Sequence, residues 1–390
     1  MTFITELKEE VIKEVDNLKQ ELFELSRFIH SNPELGLKEY KACKKIAEIL
    51  KVHKFKVKIG IAGLPTALRA EYPGKAQGYT IAFLAEYDAL PEVGHGCGHN
   101  IIASASTGAA LALSKLMHKL NGKIVLLGTP GEEGKGGKVI MLKKGIFKNI
   151  DAALMIHPSD QTIVAREALA VRELKIEFYG RTAHSASEPE LGINALDAVI
   201  QTFNSINALR QHVREDVRIH GIITKGGVAP NIVPEYASAQ FLVRALDDKY
   251  VEEVLEKVKN CASAAAKATG AKLRITMGIG YKAKKVNKNF YELFRKNLLK
   301  LGIKTKAPPK HGGLGSSDIG DVSQVLPLIH PYLAITRKGT RGHSKEFAKA
   351  AISKRGYEAC LLGAKALAMT AIDLLTTNAM EKVKEEFRRR

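Results

Sequence analysis

Between residues 171 and 279 the chain carries a pattern that few folds accommodate. Residues 171–179 read as a strand, 193–213 as a helix, 217–224 and 236–246 as two further strands, 250–267 as a helix and 273–279 as a last strand. That order, β-α-β-β-α-β, is the split βαβ arrangement of a ferredoxin-like unit. The flanking regions have a different rhythm. Leu7, Val11, Val15, Leu18, Leu22 and Leu25 recur at helical spacing up to Asn32-Pro33, and a second helix is expected over 38–50. Apolar runs at 66–72, 79–84, 123–128 and 152–156 read as strands, with helices at 101–119 and 136–144 between them. A helix at 290–301, a strand at 328–335 and a long helix at 347–375 can complete the same layer. The expectation is an α/β protein whose mostly parallel sheet, flanked by helices, is built from 1–170 and 283–390 and interrupted by the ferredoxin-like insertion 171–282.

With 390 residues, two domains are expected in any case. The formal charge of +19 raises nucleic acid as a partner, but the lysines are scattered, Trp is absent and no aromatic-basic interleaving occurs. A solvated basic surface is the simpler account, so no nucleic acid is expected. Residues 131–138 superficially suggest a phosphate loop, yet Gly137-Lys138 is followed by Val139, and Glu132-Glu133 sit where phosphate would bind. The longest weakly polar run, 101–113, is too short to span a bilayer and carries Ser and Thr, so no membrane partner is expected. Met1 to Glu10 mixes acids and lysines, unlike a secretory leader. Cys43, Cys97, Cys261 and Cys360 show no paired spacing, which fits a reducing compartment, the cytoplasm.

The chemistry gathers after the strands. Gly94-His95-Gly96-Cys97-Gly98-His99-Asn100 places a thiol and two imidazoles among glycines that let the backbone turn tightly. Gly131-Glu132-Glu133-Gly134, His157-Pro158 and Gly342-His343-Ser344 likewise follow apolar runs. Thiolate, imidazole and carboxylate are ligands for zinc-like metals. Adjacent glutamates repel, so stability does not explain them; one carboxylate binding metal while its neighbour handles protons does. Each cluster alone is a weak signal, and together they point to a metal site at one end of a sheet.

Taken in order, these motifs resemble a known family. His30-Ser31-Asn32-Pro33-Glu34-Leu35-Gly36, Asp88-Ala89-Leu90-Pro91, Cys97-Gly98-His99, Glu132-Glu133 and Gly180-Arg181-Thr182-Ala183-His184-Ser185 occur in the sequence typical of M20 metallopeptidases, amidohydrolase branch. Gly94 to Asn100, Ser187 to Ala195 and Ser316 to Ser323 are similar to the narrower group of p-aminobenzoyl-glutamate hydrolase and related dipeptidases. The resemblance implies a two-metal site, with Cys97 as the shared ligand and His99, Glu133, His157 and His343 completing it. Zinc is favoured by the thiolate, with manganese, cobalt or nickel as alternatives. It implies Glu132 as general base and His184, from the inserted lid and dimerisation domain of a homodimer, as a contact to the scissile carbonyl. Asn231 and Arg244 would hold substrate, the Arg fork suiting a carboxylate. Gly312 to Ser317 is expected to form either a loop near the site, whose backbone N–H groups could grip an anion, or a plain turn. The implied activity is metal-dependent hydrolysis of an amide in N-acyl amino acids, aminobenzoyl-glutamate-type amides or small dipeptides. An aminoacylase or carboxypeptidase of the same family is the nearest alternative; a nucleic-acid-binding or non-catalytic ligand-binding protein is a remote one. One departure stands out: the commoner motif of the branch reads Cys-Gly-His-Asp, and here Asn100 replaces the Asp, leaving no carboxylate at that position. His95 is expected to support the site, and His311 and His330 have no assigned role.

Overall fold

The structure, a computed structural model, describes residues 2–308 and 314–389. The chain divides into two compact units, one of Met1–Arg166, Lys285–His311 and Asp321–Arg390, the other of Glu167–Lys284 and Gly312–Gly320. The second unit thus begins and ends a few residues outside 171–282 and takes in a further short segment.

In chain order the first unit opens with helices α1 (Phe3–Asn17), α2 (Lys19–Ser31) and α3 (Tyr40–Val52). Strands β1 (Lys56–Ile59), β2 (Leu68–Pro73) and β3 (Thr80–Ala85), helix α4 (His99–Leu116), β4 (Lys123–Gly128), α5 (Gly137–Lys143), β5 (Ala152–Leu154) and β6 (His157–Ser159) follow. The second unit contains β7 (Ala170–Tyr179), α6 (Ala195–Leu209), β8 (Arg218–Lys225), β9 (Tyr236–Ala245), α7 (Asp248–Thr269) and β10 (Lys272–Met277). The remaining elements are α8 (Lys288–Lys300), α9 (Ile319–Val322), β11 (Leu328–Ile329), β12 (Tyr332–Ala334), α10 (Lys345–Ala350), α11 (Lys354–Thr376) and α12 (Ala379–Arg388).

The sheet of the first unit has the order β1-β2-β4-β3-β5-β11. The pairs β4/β3, β3/β5 and β5/β11 are parallel, while β1/β2 and β2/β4 are antiparallel. Ile81, Ala82, Phe83 and Leu84 of β3 are buried on both faces, as a parallel strand covered by helices requires. Because β3, β4 and β5 run in one direction, the loops after them leave from the same end of the sheet, where α/β proteins place ligands.

The second unit is an antiparallel sheet in the order β10-β7-β9-β8, the ferredoxin-like arrangement. Its core is Leu174, Phe178 and Phe241 from the sheet packed with Val199, Val251, Val254 and Val258 from the two helices. Strand β8 is an edge, and Ile222 (64%) and Ile223 (46%) on it are exposed.

Several elements differ from the sequence reading for identifiable reasons. The first expected helix is two, because Leu18 (ψ −2°) interrupts the α1–α2 run; the apolar spacing survives since both halves face the same core. Strand β1 was not expected: its Lys56 and Lys58 belong to a lysine-rich exposed edge with little apolar content. The expected 328–335 strand breaks at His330-Pro331, and its halves pair with different strands, β5 and β6. Pro331 has no N–H to continue a ladder. The C-terminal helix is interrupted before Ser353, whose hydroxyl caps α11 by accepting from Gly356 N at 3.2 Å, and α12 adds a further turn-bounded helix. Contrary to the expectation that no segment approaches a membrane span, α11 is long and apolar enough by length and composition. Its apolar residues are instead core residues: Ala364, Leu367, Ala368, Ala371 and Ile372 are fully buried, and α4 and α1 pack against the helix.

Candidate metal centre

Strand β3 delivers Glu86-Tyr87-Asp88, and the following loop returns through Cys97 to α4, which starts at His99. Gly98 makes this possible. It has φ +74°, and a Cβ there would stand 2.9 Å from Pro158 Cγ, so the backbone fits closely against β6. That contact brings Cys97 beside His157, with Sγ 3.5 Å from Nε2. His343 approaches the same sulfur at 3.6 Å through its Nε2. It is held there by donating its N–H to Gly96 O at 2.9 Å, in a left-handed conformation (φ +58°) uncommon for a non-glycine residue. After β4, Gly131 (φ +70°) starts the turn that carries Glu132 and Glu133 to the cluster. Glu133 Oε1 lies 3.6 Å from His343 Nε2 and 4.0 Å from His99 Nε2.

Three triads result, each with ligand atoms within 4.8 Å of one another: Cys97, His99 and His157; Cys97, Glu133 and His343; His99, Glu132 and Glu133. Among the described residues, His99 Nε2 and Glu133 Oε1 are buried without a hydrogen-bond partner. Such atoms are costly unless something else satisfies them, and a sulfur, nitrogen and oxygen donor set suits divalent ions of the zinc type. The residues present therefore fit bound metal. Every residue expected as a metal ligand, and Glu132, falls within this one cluster.

The surrounding groups hold the donors in place. Asp88 accepts from His99 Nδ1 at 3.0 Å and from Glu133 N at 2.8 Å, so one buried carboxylate orients two of the candidate ligands. This is the oriented-imidazole arrangement common at metal sites. Asn100 plays no such part: its side-chain amide donates to Ser26 Oγ at 2.8 Å and to Ala351 O at 3.1 Å. The missing carboxylate of the Cys-Gly-His-Asn motif is thus supplied to His99 from the end of β3. His157 donates from Nδ1 to Pro158 O at 2.7 Å, which leaves Nε2 as the nitrogen facing Cys97. Glu86 and Lys138 form a fully buried pair at 2.5 Å, and the second oxygen of Glu86 is 3.5 Å from His99 Nε2.

Charge follows from this packing. Burial pushes the Cys97 thiol far up, only partly opposed by the His99 imidazole beside it. Burial works against the His99 imidazolium, but the Asp88 carboxylate more than compensates and raises it well above its ordinary value. Asp88 is held low: burial opposes ionisation, and the charge and hydrogen bond of His99 outweigh it. His95 is buried, bonded through Nε2 to Ile29 O at 3.0 Å and outside all three triads. Burial, with His99 and His30 nearby, lowers it to about 3, so it is neutral and structural. His330 is buried with its ring 5.4 Å from that of His157. His311 and the start of the expected loop 312–317 lie outside the described residues.

The second unit groups its own candidates. The backbone of His184 bridges Ile232, and Ser185 N donates to Asn231 O at 3.1 Å, so His184 and Asn231 share one corner. Ala186 N and Ser187 N both donate to His184 Nδ1 at 3.2 Å, which puts the ring proton on Nε2, available to an acceptor. A concavity of about 410 Å³ beside them is lined by Ser185, Asn194, Leu196, Val228, Pro230 and Ile232. Arg244 is elsewhere. It sits at the far end of β9, half-buried, donating to Ser316 Oγ at 3.1 Å, roughly 27 Å of strand beyond Tyr236.

Sequence reasoning assigned no role to Glu39 or Lys138. Glu39 is fully buried, and burial with the nearby Asp88 charge pushes it up to about 7. Both residues look like ordinary surface charges in a sequence; the one available signal for Glu39 is an acid at the start of a helix directly behind a family motif.

Residues 170–270 match the profile of the M20 peptidase dimerisation domain. The chain is 36% identical over 398 residues to the Xaa-Arg dipeptidase of Mus musculus, covering 98% of this chain and 92% of that protein. It is 33% identical over 273 residues to one polypeptide of the p-aminobenzoyl-glutamate hydrolase of Escherichia coli (strain K12), covering 64% of this chain and 56% of that one. In fold it is similar to a dinuclear metal binding peptidase of the M20 family from Bacillus subtilis, with a TM-score of 0.71 at 19% identity over 93% of this chain and 99% of the other.

Proposed function

The chain belongs to the M20 family of metallopeptidases and is a metal-dependent amide hydrolase, within which we propose that it cleaves dipeptides and N-acyl amino acids bearing a free carboxylate, with Glu132 as general base. The observation that carries this reading is the sharing of Cys97 between two ligand triads with Glu132 beside them. Cys97 as a thiolate, with His99, His157, Glu133 and His343, would hold two divalent ions. Zinc suits that donor set best. Two such ions would acidify a water and polarise the amide carbonyl. Glu132 would take the proton of the attacking water and return it to the departing amine. His184, with its proton on Nε2, can donate to the oxygen of the scissile carbonyl, and Asn231 can assist it.

His184 with Asn231 and Arg244 lie at opposite ends of one sheet, too far apart for a single small substrate to touch both in one chain. Two copies resolve this. Antiparallel pairing of the edge strand β8 with its copy would lay the Arg244 end of one sheet along the His184 end of the other, because Arg218 of β8 pairs with Arg244 and Lys225 with Ser238. The exposed Ile222 and Ile223 would be covered in the same step. We therefore propose a homodimer in which Arg244 grips the substrate carboxylate and the partner copy provides the histidine. Cys43 and Cys360 are free and buried, and Cys97 must stay reduced to bind metal, which supports a reducing compartment such as the cytoplasm.

The test is a panel of dipeptides, N-acetyl amino acids and aminobenzoyl-glutamate, offered to protein reconstituted in turn with zinc, manganese, cobalt and nickel. Glu132→Gln should lower turnover by about 10²–10⁴-fold with metal content unchanged. Full activity in that variant, or no turnover across the panel, refutes the assignment.

A further inference from the structure

We infer that Glu39 is a positioning residue that sets the Glu132-Glu133 loop at the metal centre by stapling it to the loop before α3. The inference rests on the reading of Glu132 and Glu133 given above. Glu39 is fully buried at the start of α3. Its Oε1 accepts two backbone N–H groups, from Leu37 at 2.9 Å and from Gly131 at 2.8 Å. Its Oε2 accepts the Thr66 hydroxyl at 2.8 Å, and Thr66 O in turn accepts from Tyr87 Oη. Gly131 directly precedes Glu132.

Helix α3 does not need Glu39 as its cap. The carboxylate of Glu34 already accepts from Lys41 N, at 2.9 Å to one oxygen, and from Ala42 N at 3.0 Å. Glu39 instead spends its acceptors on a loop 92 residues away. The two loops touch closely: a Cβ on Gly36 would stand 3.0 Å from Gly131 Cα, and one on Gly131 would stand 2.8 Å from Leu37 Cδ2. Leu37 is held at φ +67°, a conformation that a leucine keeps only when its surroundings impose it. The turn carrying Glu132 therefore hangs from two carboxylates, Glu39 at Gly131 N and Asp88 at Glu133 N. This also gives the His30-to-Gly36 motif a purpose beyond recognition: it builds the buttress behind the glutamate pair.

Three substitutions separate a staple from a charge. Glu39→Gln keeps the length and the Oε1 acceptor, and its amide can donate to Thr66 Oγ1. Glu39→Asp keeps the charge but withdraws the carboxylate by about 1.5 Å. Glu39→Met keeps the bulk and removes the acceptor. The expected order of kcat is Gln, then Asp, then Met, with Asp and Met down by as much as about a hundredfold and KM changing far less. Titration of metal-free protein with Co²⁺ gives an independent readout: the Gln variant should match the native spectrum and affinity, while Asp and Met bind more weakly with altered bands. An Asp variant equal to or better than Gln, or a flat series, overturns the inference; if Met fails to fold, the Gln and Asp comparison still decides. Glu133→Ala separates the two failures. If it weakens Co²⁺ binding while the Glu39 series is flat, the staple alone is wrong. If it leaves Co²⁺ binding untouched, the reading of the loop falls and the staple with it.

Discussion

Loading this centre with metal should expel two protons from Cys97 and His99 near neutral pH. Without metal, burial keeps Cys97 as the thiol, and the Asp88 carboxylate keeps His99 as the imidazolium. A metal needs the thiolate and a neutral imidazole with a free Nε2 lone pair, so both protons must leave. While both groups stay protonated in the free protein, affinity should rise by about a hundredfold per pH unit, or roughly 2.7 kcal/mol of binding free energy. Titration calorimetry of metal-free protein with Zn²⁺, in buffers of different ionisation enthalpy, counts the protons directly. Asp88→Asn is the internal control. It removes the charge that raises His99, so release should fall toward one proton, and the loss of two oriented contacts should weaken binding by about 10–100-fold. Release of less than one proton by the native protein, or an affinity independent of pH, would show that the thiol and imidazolium are not the resting state and would undo the electrostatic account.

Other expectations follow from single features. Ile222→Asp on β8 should shift a dimer toward monomer in sedimentation velocity and lower turnover while leaving the metal content intact; a monomeric native protein, or an unchanged dimer, removes the edge-pairing reading. Lys138→Met should destabilise the fold by roughly 3–5 kcal/mol, because it strands the fully buried Glu86 charge, and denaturant unfolding of the metal-free protein measures it. His95, lowered to about 3 from its ordinary 6.5, binds a proton in the unfolded chain before it does in the folded one. Its contribution is therefore present above about pH 6.5 and is lost on acidification toward 3, at about 1.4 kcal/mol per pH unit. His95→Gln should make the acid limb of the stability curve shallower by that amount, and an unchanged slope would mean that His95 is not buried neutral.

The fold was legible where period and burial agree. The insertion could be read because its sheet faces one layer of helices, so strands such as β7 and β9 and helices α6 and α7 carry one-sided apolar patterns. What escaped the sequence depends on chain direction rather than on content. The residues of 328–335 are mostly apolar, and only the missing N–H of Pro331 makes the strand change partners. The candidate ligands were legible because thiol, imidazole and paired carboxylate are conspicuous among glycines. Their supports were not. Glu39 and Lys138 differ from surface acids and lysines only in being buried, and burial at a loop crossing is set by tertiary packing.

Those hidden charges also explain why the visible ones are separated in role. Glu86 lies as near to His99 as several candidate ligands do to one another, so proximity alone does not exclude it from the metal shell. Lys138 lies 2.5 Å from one Glu86 oxygen and holds it in a fully buried pair, which leaves only the other oxygen toward His99. Cys97 and Glu133 face imidazoles rather than a buried lysine, and in the metal-free protein the thiol is uncharged while the His99 imidazolium faces the Asp88 carboxylate. The space between Cys97, His99 and Glu133 is thus open to removable charge, a proton or a divalent ion, while the Asp88 carboxylate beside it and the Glu86–Lys138 pair behind it are fixed. Adding a second fixed cation within that space should therefore block metal far more strongly than removing any one support.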